Sequence, residues 1–571
     1  MDSKMDQLMN YIDELDITEV IDASAKLPPS GILRGHVNIF GQYEECMLAR
    51  QQLPNSTRTI TGSYVRIFVD KKLRNYNAKG ACKLNQYNIG DPSFDVCLPS
   101  SCDNYDTLMT LSRSLIKFNG STPVCTVKQA SVRLRPIDYK TWIVLAIIAF
   151  IGVIAILATA WDLFTNYFNS DYYKLASIET TCWFHCLMAF SVIRNTKDIF
   201  NIESTNKPGQ IGPIHFMRFI SMAWVIFGHA TSGYMMLSSN ILDCKETFKN
   251  LWTQFMTNAF FSVDTFFFMS GLLVSYTWFK EYRKDKKKAM SSTTWLIFYI
   301  HRIVRLSPPY YIVIAFYSFV FKSFLVNMPV ILMTLNDYCE ESWWTNFLYL
   351  NNFIYYNRQC YLVTWYLATD FQIHIFAPAL LIPLALKPML GFIIAGLLLL
   401  LSTVANLVTV YMEYFPPTDF YIGVMDPRMG PYRRYSLLIY QAPWIRCQVY
   451  IIGPINDFMS LSVWKPLGRL TYCTYLTHLI VLIYMLCIGV NAFSFSSITH
   501  TFIVFALPCC IISWFFAYWL SILFELPISK LEMILLGRIH DKTVQRQTIR
   551  EIQAVEQNHP IISCWKKSEE L

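Results

Sequence analysis

An arginine and a histidine, Arg218 and His229, lie eleven residues apart inside an apolar segment at 214–237 that is long enough to cross a bilayer. A helix turns about 100° per residue, so the two side chains project from nearly one face, about 16 Å apart along the axis. A cation at membrane depth is costly and normally faces a bundle interior or a wet cavity. The pair therefore indicates a functional site, with a snorkelling arginine and a packing histidine as the structural alternative.

Further charged residues fall inside or beside other apolar segments. Asp264 lies in a run of aromatic and small residues, where a carboxylate must be paired or protonated. An arginine or histidine of a neighbouring helix would serve as its partner, and a purely structural pair is an equal alternative. Arg302 and Arg305 are one helical turn apart and could hold a phosphate or pyrophosphate, or could be charges that only set membrane orientation.

Two more histidines complete the candidates for proton transfer. Asp370 and His374 are four residues apart and can hydrogen-bond on one helical face, as a relay or as a structural pair. His478 follows Tyr475 at helical spacing, a pattern that is more often packing than catalysis. Three histidines at membrane depth favour proton-transfer chemistry, because only histidine titrates near neutral pH.

The composition is that of an integral membrane protein. Hydrophobic residues make up 54% of the 571 residues, charged residues only 15%, and the mean hydropathy is +0.32. The net charge of +8 is concentrated next to apolar segments, so it indicates cytoplasmic loops and no nucleic-acid partner. The sequence has no phosphate-binding glycine loop, haem motif or metal-ligand cluster, and we expect no metal.

Nine apolar segments of about 20 residues predict transmembrane helices. They are 141–163, 214–237, 255–279, 308–326, 365–386, 389–412, 435–455, 467–489 and 500–524. Six basic residues at 280–288 place the loop after the third segment in the cytoplasm. Counting from this loop places residues 1–140 outside and the basic tail at 531–571 inside. Three basic residues before the first segment favour the opposite orientation, but the cysteines and sequons described next outweigh them.

Residues 1–140 are polar and mixed, which predicts a separate extracytoplasmic domain. Its five cysteines suggest a disulfide framework, and their odd count requires a partner elsewhere, for which Cys244 is a candidate. The five are Cys46, Cys82, Cys97, Cys102 and Cys125. Cys339 and Cys360 fall in an external loop where they can pair.

Two sequons, at Asn55 and Asn119, also place this domain outside the cytosol. The acidic N-terminus lacks the pattern of a signal peptide, so we expect a leader segment to be missing from this sequence. The plasma membrane and the endoplasmic reticulum are both compatible locations.

Several motifs, in order along nearly the whole chain, resemble the acyltransferase type 3 family, and more closely its animal branch, the nose-resistant-to-fluoxetine proteins. Arg218 and His229 match the spacing in the family's first transferase helix. The Val-Asp-x-Phe-Phe-x-x-Ser-Gly signature of its second helix is matched at 263–271. The other matches are Arg302 with Arg305, WWTNFLYLNN at 343–352, Trp365-Tyr366-Leu367 with Asp370, Tyr475-Leu476-Thr477-His478, and the cysteine-rich first domain with CLPSSC at 97–102.

The resemblance implies an all-α polytopic membrane helical bundle with a small disulfide-rich N-terminal domain. It also implies transfer of an acyl group, often acetyl, from acyl-CoA to a hydroxyl on a small molecule, lipid or carbohydrate. Arg218, Arg302 and Arg305 would bind the phosphates of acyl-CoA, and His229 would act as general base. Asp264 would orient or balance these groups.

The predicted organisation is a cysteine-rich domain, an anchor helix, a cytoplasmic linker, an acyltransferase domain and a cytoplasmic tail. Their bounds are 1–140, 141–163, 164–213, 214–530 and 531–571. The family has more transferase-domain helices than the eight that follow the anchor here, so we expect one hairpin to be absent near 453–456.

Two other functions stay open. A transporter of lipids or hydrophobic drugs would use the buried polar face as a path and consume no acyl-CoA. A receptor or scaffold would act through the external domain.

Overall fold

The computed structural model describes most of the N-terminal domain and of the membrane helices. The described residues are 22–26, 31–52, 59–69, 92–102, 104–116, 122–129, 138–167, 182–201, 213–247, 250, 253–255, 258–321, 338–415, 428, 432–447, 464–488 and 493–534. The chain divides into two compact units. The first is Met1–Ala146, Ile202–Asp285 and Tyr311–Ala517, and the second is Ile147–Asn201, Lys286–Tyr310 and Tyr518–Leu571.

A five-stranded sheet forms the core of the N-terminal domain. Its strands are β1 (Asn38–Ile39), β2 (Arg50–Gln52), β3 (Thr59–Val69), β4 (Ser93–Pro99) and β5 (Val124–Gln129). The order is β1-β4-β3-β2, with β5 also paired to β3, and the β1–β4 pair is parallel while the others are antiparallel. Helix α1 (Tyr43–Leu48) packs on β3, and helix α2 (Tyr105–Leu115) packs on β5.

Disulfide bonds confirm part of the predicted framework. Cys46 is bonded to Cys97, which ties α1 to β4, and Cys125 is also disulfide-bonded. Cys339 is bonded to Cys360, as predicted. Cys82 and the two sequon asparagines, Asn55 and Asn119, lie outside the described residues.

The prediction is wrong for the two remaining cysteines. Cys102 forms no disulfide bond, and its side chain lies in the apolar core between β3 and α2, with Val65 and Leu108. Cys244 is a free, fully buried thiol, so it is not the disulfide partner expected for the fifth cysteine of the N-terminal domain.

An ion pair is fully buried in the sheet of this domain. Arg66 on β3 lies opposite Asp95 on β4, and its Nε and Nη2 atoms donate to the two carboxylate oxygens. The Tyr64 hydroxyl donates to the same carboxylate. The charge of each partner is therefore compensated inside an apolar core.

Replacing Asp95 with asparagine is expected to destabilise the domain by about 3–5 kcal/mol, because it leaves Arg66 as an uncompensated buried charge. Hydrogen exchange in the full chain will measure the lost protection of β3 and β4. The control is Asp22→Asn, which removes an exposed pair with Lys26 and is expected to leave that protection unchanged. Wild-type protection in Asp95→Asn would contradict the argument.

Helices make up the described part of the chain after this domain. They are α3 (Tyr139–Tyr167), α4 (Cys182–Met188), α5 (Val192–Phe200), α6 (Pro213–Met236), α7 (Ile241–Thr247), α8 (Ser262–Lys284), α9 (Lys286–Ala289), α10 (Ser292–Ala315), α11 (Cys339–Phe347), α12 (Trp365–Leu386), α13 (Pro388–Glu413), α14 (Tyr432–Tyr435), α15 (Pro443–Arg446), α16 (Trp464–Ile488), α17 (Ile498–Thr501) and α18 (Leu507–Leu520). Turns of π-helix follow four of them, at Phe316–Phe321, Ser436–Tyr440, Phe502–Ala506 and Ser521–Glu525.

Within the residues that the structure describes, seven helical stretches have the length and hydropathy to cross a membrane. They are Tyr139–Thr165, Thr253–Lys284, Ser292–Phe321, Leu362–Leu386, Pro388–Glu413, Pro466–Ile488 and Ile498–Ile534. Each corresponds to one of the nine predicted segments. The predicted segment at 214–237 forms the 24-residue helix α6. This helix is long enough to cross a membrane, but its mean hydropathy is lower than that of the seven stretches.

Two predicted boundaries are wrong, and prolines explain both. The fourth segment does not begin at Pro308, because α10 begins at Ser292 and continues through Pro308 and Pro309. Membrane helices tolerate such prolines, since neighbouring helices and local changes of helical pitch satisfy the freed backbone groups. The predicted helix at 435–455 is broken at Ala442, which is extended because it precedes Pro443. The expected loss of a hairpin near 453–456 falls outside the described residues.

Candidate functional site

Helices α6 and α16 run in the same direction and approach each other closely at two glycines. A Cβ atom on Gly468 of α16 would fall 2.7 Å from the carbonyl oxygen of His215 on α6. A Cβ atom on Gly233 of α6 would fall 2.8 Å from Leu486 on α16. Small residues at both ends of the contact let the helices approach closely. This close approach brings one histidine of each helix into contact.

His229 on α6 and His478 on α16 form a hydrogen-bonded pair, and both were candidates from the sequence. Nδ1 of His229 lies 2.9 Å from Nε2 of His478, and the two rings are within 7° of parallel. His478 is fully buried and His229 partly buried. The structure therefore joins two residues that are 249 positions apart in the chain.

The hydrogen bonds of His478 assign the protons of this pair. Nδ1 of His478 lies 2.7 Å from the backbone carbonyl oxygen of Tyr475. A carbonyl oxygen only accepts, so Nδ1 of His478 carries the proton and its Nε2 is the acceptor in the neutral ring. His229 must then donate through Nδ1–H, which leaves Nε2 of His229 with an unprotonated lone pair. Histidine bases are oriented in this way by the partner of the other ring nitrogen.

Two tyrosines fix the turn of α16 that holds His478. The Tyr361 hydroxyl donates to the carbonyl oxygen of Leu476 at 2.8 Å, and the Tyr475 hydroxyl donates to that of Val363. These two hydrogen bonds join the segment 361–364 to the turn 475–476. We call this pair of joined segments the tyrosine clamp. Tyr361 is fully buried, and Tyr475 nearly so. The clamp therefore fixes the carbonyl that orients the histidine pair.

A network of buried amides and hydroxyls holds the clamp in place. The Thr364 hydroxyl accepts from the side-chain amides of Asn346 and Asn351, at 2.8 and 3.2 Å. Asn352 and Gln372 exchange two side-chain hydrogen bonds, of 2.9 and 2.8 Å. The three asparagines belong to the segment 343–352 that the family resemblance singled out, and the Cys339–Cys360 disulfide closes the same stretch of chain.

An aromatic cluster connects the histidine pair to α8 and α12. The ring of Tyr366 on α12 lies 4.7 Å from that of Phe267 on α8 and 5.5 Å from that of Tyr475. The Tyr475 ring lies 5.6 Å from that of His478. Ring packing of this kind lowers the local dielectric, so the polar contacts beside it are stronger than they would be in water.

Asp264 on α8 is paired with Arg446 on α15, which the sequence interpretation did not single out. Nη1 of Arg446 lies 2.6 Å from Oδ1 of Asp264, and the two side chains are only 10% and 14% exposed. Nε of Arg446 donates to the carbonyl oxygen of Tyr440 at 2.9 Å, and the guanidinium lies over the Tyr440 ring at 5.0 Å. The predicted arginine partner for Asp264 is thus observed, and it is neither Arg218 nor a histidine.

The remaining candidates lie on helices α6, α10 and α12. Arg218 is partly buried on α6, three turns before His229. Arg302 is partly buried and Arg305 exposed, one turn apart on α10 in the second unit. Asp370 is buried on α12, and its proposed hydrogen bond with His374 stays a prediction.

Comparisons with known proteins match two parts of the chain. The family model for the nose resistant-to-fluoxetine protein, N-terminal domain, matches residues 3–111, and the acyltransferase domain model matches residues 212–440. Nose resistant to fluoxetine protein 6 of Caenorhabditis elegans is 29% identical over 391 residues, which cover 65% of this chain and 47% of that protein.

A second relative is more distant. Regulator of hypoxia-inducible factor 1 of Caenorhabditis elegans is 22% identical over 345 residues, which cover 52% of this chain and 62% of that protein. The chain thus spans less than two-thirds of the length of either relative. No solved structure matches the chain.

The two matched domains occur in the order that the motifs predicted. Helix α6 with His229, helix α8 with Asp264, and helix α12 lie inside the acyltransferase match. Arg446 and His478 lie beyond its end. The chain therefore belongs to the acyltransferase type 3 family, in its nose-resistant-to-fluoxetine branch.

Proposed function

We propose that this protein transfers an acyl group, acetyl in the simplest case, from acyl-CoA to a hydroxyl-bearing acceptor, with His229 as the general base. The observation that carries the proposal is the hydrogen-bonded histidine pair, in which His478 accepts from Nδ1–H of His229 and leaves Nε2 of His229 able to take a proton. Membership of an acyltransferase family supports the class of reaction.

In the proposed reaction, the acceptor hydroxyl gives its proton to Nε2 of His229 while its oxygen attacks the thioester carbonyl carbon. The tetrahedral intermediate collapses by breaking the C–S bond, and the imidazolium of His229 returns the proton to the departing coenzyme A thiolate. One ester and one thiol form, and no group is oxidised or reduced. His478 stays neutral throughout and stabilises the imidazolium through the Nδ1–H bond.

The donor is proposed to lie along α6. Arg218 is about 16 Å from His229 along the helix axis, so it suits a long donor whose phosphates are far from its reacting thioester. Arg302 and Arg305 are proposed as further phosphate ligands, because two guanidinium groups one turn apart can grip one phosphate from two sides. The acceptor is proposed to be a small molecule, a lipid or a carbohydrate.

The proposed location is the plasma membrane or the endoplasmic reticulum, with the N-terminal domain outside the cytosol and the C-terminal tail inside. Glycan occupancy at Asn55 and Asn119, together with protease access to the tail in sealed vesicles, will test this orientation. Glycan-free asparagines, together with a tail that is protected from protease in inside-out vesicles, would reverse it.

Purified full chain incubated with radiolabelled acetyl-CoA and a membrane extract is the direct test. We expect label to enter an acceptor and an equal amount of coenzyme A thiol to be released, with the His229→Ala protein as the negative control. Folded protein that releases no thiol would overturn the proposal. Flux of a lipophilic compound across proteoliposomes under those conditions would then favour a transporter.

Replacing Tyr361 with phenylalanine is expected to lower kcat by about 10- to 100-fold with little change in KM. The clamp loses one of its two hydrogen bonds, and a shift on the order of 1 Å in a catalytic group has effects of this size. The control is Tyr311→Phe, which removes another tyrosine hydroxyl bond to a backbone carbonyl, that of Phe347 at 2.9 Å. Equal kcat values in the two variants would show that the clamp does not position the base.

A further inference from the structure

The chain between α8 and α10 is strongly basic. Six basic and two acidic residues occupy 280–288, a net charge of +4 over nine positions. The turn α9 consists of Lys286, Lys287, Lys288 and Ala289. The three lysines are exposed, and Ala289 is fully buried and anchors the turn. The structure therefore presents three adjacent ammonium groups from a single anchored turn.

Hydrogen bonds hold the backbone of this turn. The Met290 N–H donates to the carbonyl oxygen of Lys286 at 3.3 Å, and the Ser291 N–H donates to that of Lys288 at 3.1 Å. The Thr294 hydroxyl donates to the same Lys288 carbonyl at 2.7 Å, and the Thr294 N–H donates to the Ser291 hydroxyl at 3.3 Å. Because the turn is already ordered, a partner does not have to order the backbone when it binds.

The turn lies in the short connection between two candidate membrane spans, Thr253–Lys284 and Ser292–Phe321, so the chain holds it close to a bilayer surface. Lys286 follows the last residue of α8 by two positions, and Lys288 precedes the first residue of α10 by four. The polar layer outside the hydrocarbon core of a bilayer is roughly 5–8 Å thick on each side. Lysine side chains next to the end of a membrane span extend towards the phosphates of the lipids.

We propose that Lys286, Lys287 and Lys288 form a contact surface for anionic phospholipid headgroups. Three exposed ammonium groups on one fixed turn complement the phosphate and carboxylate groups of a phosphatidylserine-rich leaflet. Each lysine near such a surface contributes about a fivefold preference for the anionic lipid. This contact is separate from acyl transfer, so it does not depend on the proposed function.

Native mass spectrometry of the full chain, released from nanodiscs of mixed phosphatidylserine and phosphatidylcholine, tests this proposal. Wild type is expected to retain phosphatidylserine preferentially, and the variant Lys286→Gln/Lys287→Gln/Lys288→Gln is expected to lose that preference by about tenfold or more. The matched control removes the same charge from exposed residues elsewhere. It is Lys26→Gln/Arg34→Gln/Arg358→Gln.

The control variant is expected to retain lipid as wild type does. A wild-type ratio of the two lipids in the triple lysine variant would overturn the proposal, and so would an equal loss in the control, since net charge alone would then explain the effect. Raising the salt concentration is expected to weaken the wild-type preference, because screening acts on exposed charges.

Discussion

The His229→Ala protein is expected to fold and to transfer acyl groups about 10²- to 10⁴-fold more slowly than wild type, because the acceptor hydroxyl loses its general base. The substitution also leaves Nε2 of the buried His478 without its donor, at a cost of about 1–3 kcal/mol. The matched variant is His229→Gln, whose amide N–H can still donate to His478 but cannot act as a base. Thermal unfolding in detergent and the rate of thiol release from acetyl-CoA will separate the two effects.

The partner histidine should respond differently to two substitutions. His478→Gln keeps a side-chain oxygen that can accept from Nδ1–H of His229, whereas His478→Leu removes any acceptor. We expect His478→Leu to lower kcat by roughly 100-fold and His478→Gln by roughly tenfold, with KM little changed in both, because the second histidine orients the base and binds no substrate.

Normal turnover by folded His229→Ala would remove the assignment of the base. Equal rates in His478→Leu and wild type would leave the base in place. They would show that the hydrogen bonds linking His229, His478 and the Tyr475 carbonyl do not select which nitrogen of His229 is protonated. Each outcome therefore bears on a different step of the argument.

The position of His229 could be predicted from sequence, because helical periodicity is a local property. An eleven-residue spacing puts Arg218 and His229 on one face wherever the helix packs. His478 could not be assigned in this way, since beside Tyr475 it has the pattern of a packing residue. Its role depends on the close approach of α6 and α16 at Gly468. No local sequence pattern indicates which helix packs against α6 at that point.

Arg446 was missed although a signal for it existed. It is a cation inside the predicted apolar segment 435–455, and the rule that singled out Arg218 applies to it equally. Its pairing could not be predicted, because Asp264 is 182 residues away and the break before Pro443 redirects the chain. The sheet of the N-terminal domain was also not predicted. Strands β1 and β2, of two and three residues, are too short to carry a periodic pattern, whereas the 11-residue β3 was long enough to carry one and was missed.

Substitution of Asp264 by asparagine is expected to destabilise the membrane domain by about 3–5 kcal/mol, because Arg446 would remain as a buried charge without a counter-ion. Arg446→Gln should destabilise the domain by a similar amount, because Asp264 would then be the buried charge without a counter-ion. Thermal unfolding of each variant in detergent will measure the loss of stability. The control is Glu281→Gln, which removes an exposed pair with Lys284 and is expected to cost less than about 1 kcal/mol.

The double variant Asp264→Leu/Arg446→Met distinguishes a counter-ion from a catalytic carboxylate. Replacing both members of a buried pair by apolar residues removes the unpaired charge, so the double variant should be more stable than either single variant. If Asp264 serves only to neutralise Arg446, the folded double variant should also keep most of the acyl-transfer rate per folded molecule. A folded Asp264→Asn protein of wild-type stability whose transfer rate falls by 100-fold would instead place this carboxylate in the reaction, and the histidine pair would no longer account for the chemistry by itself.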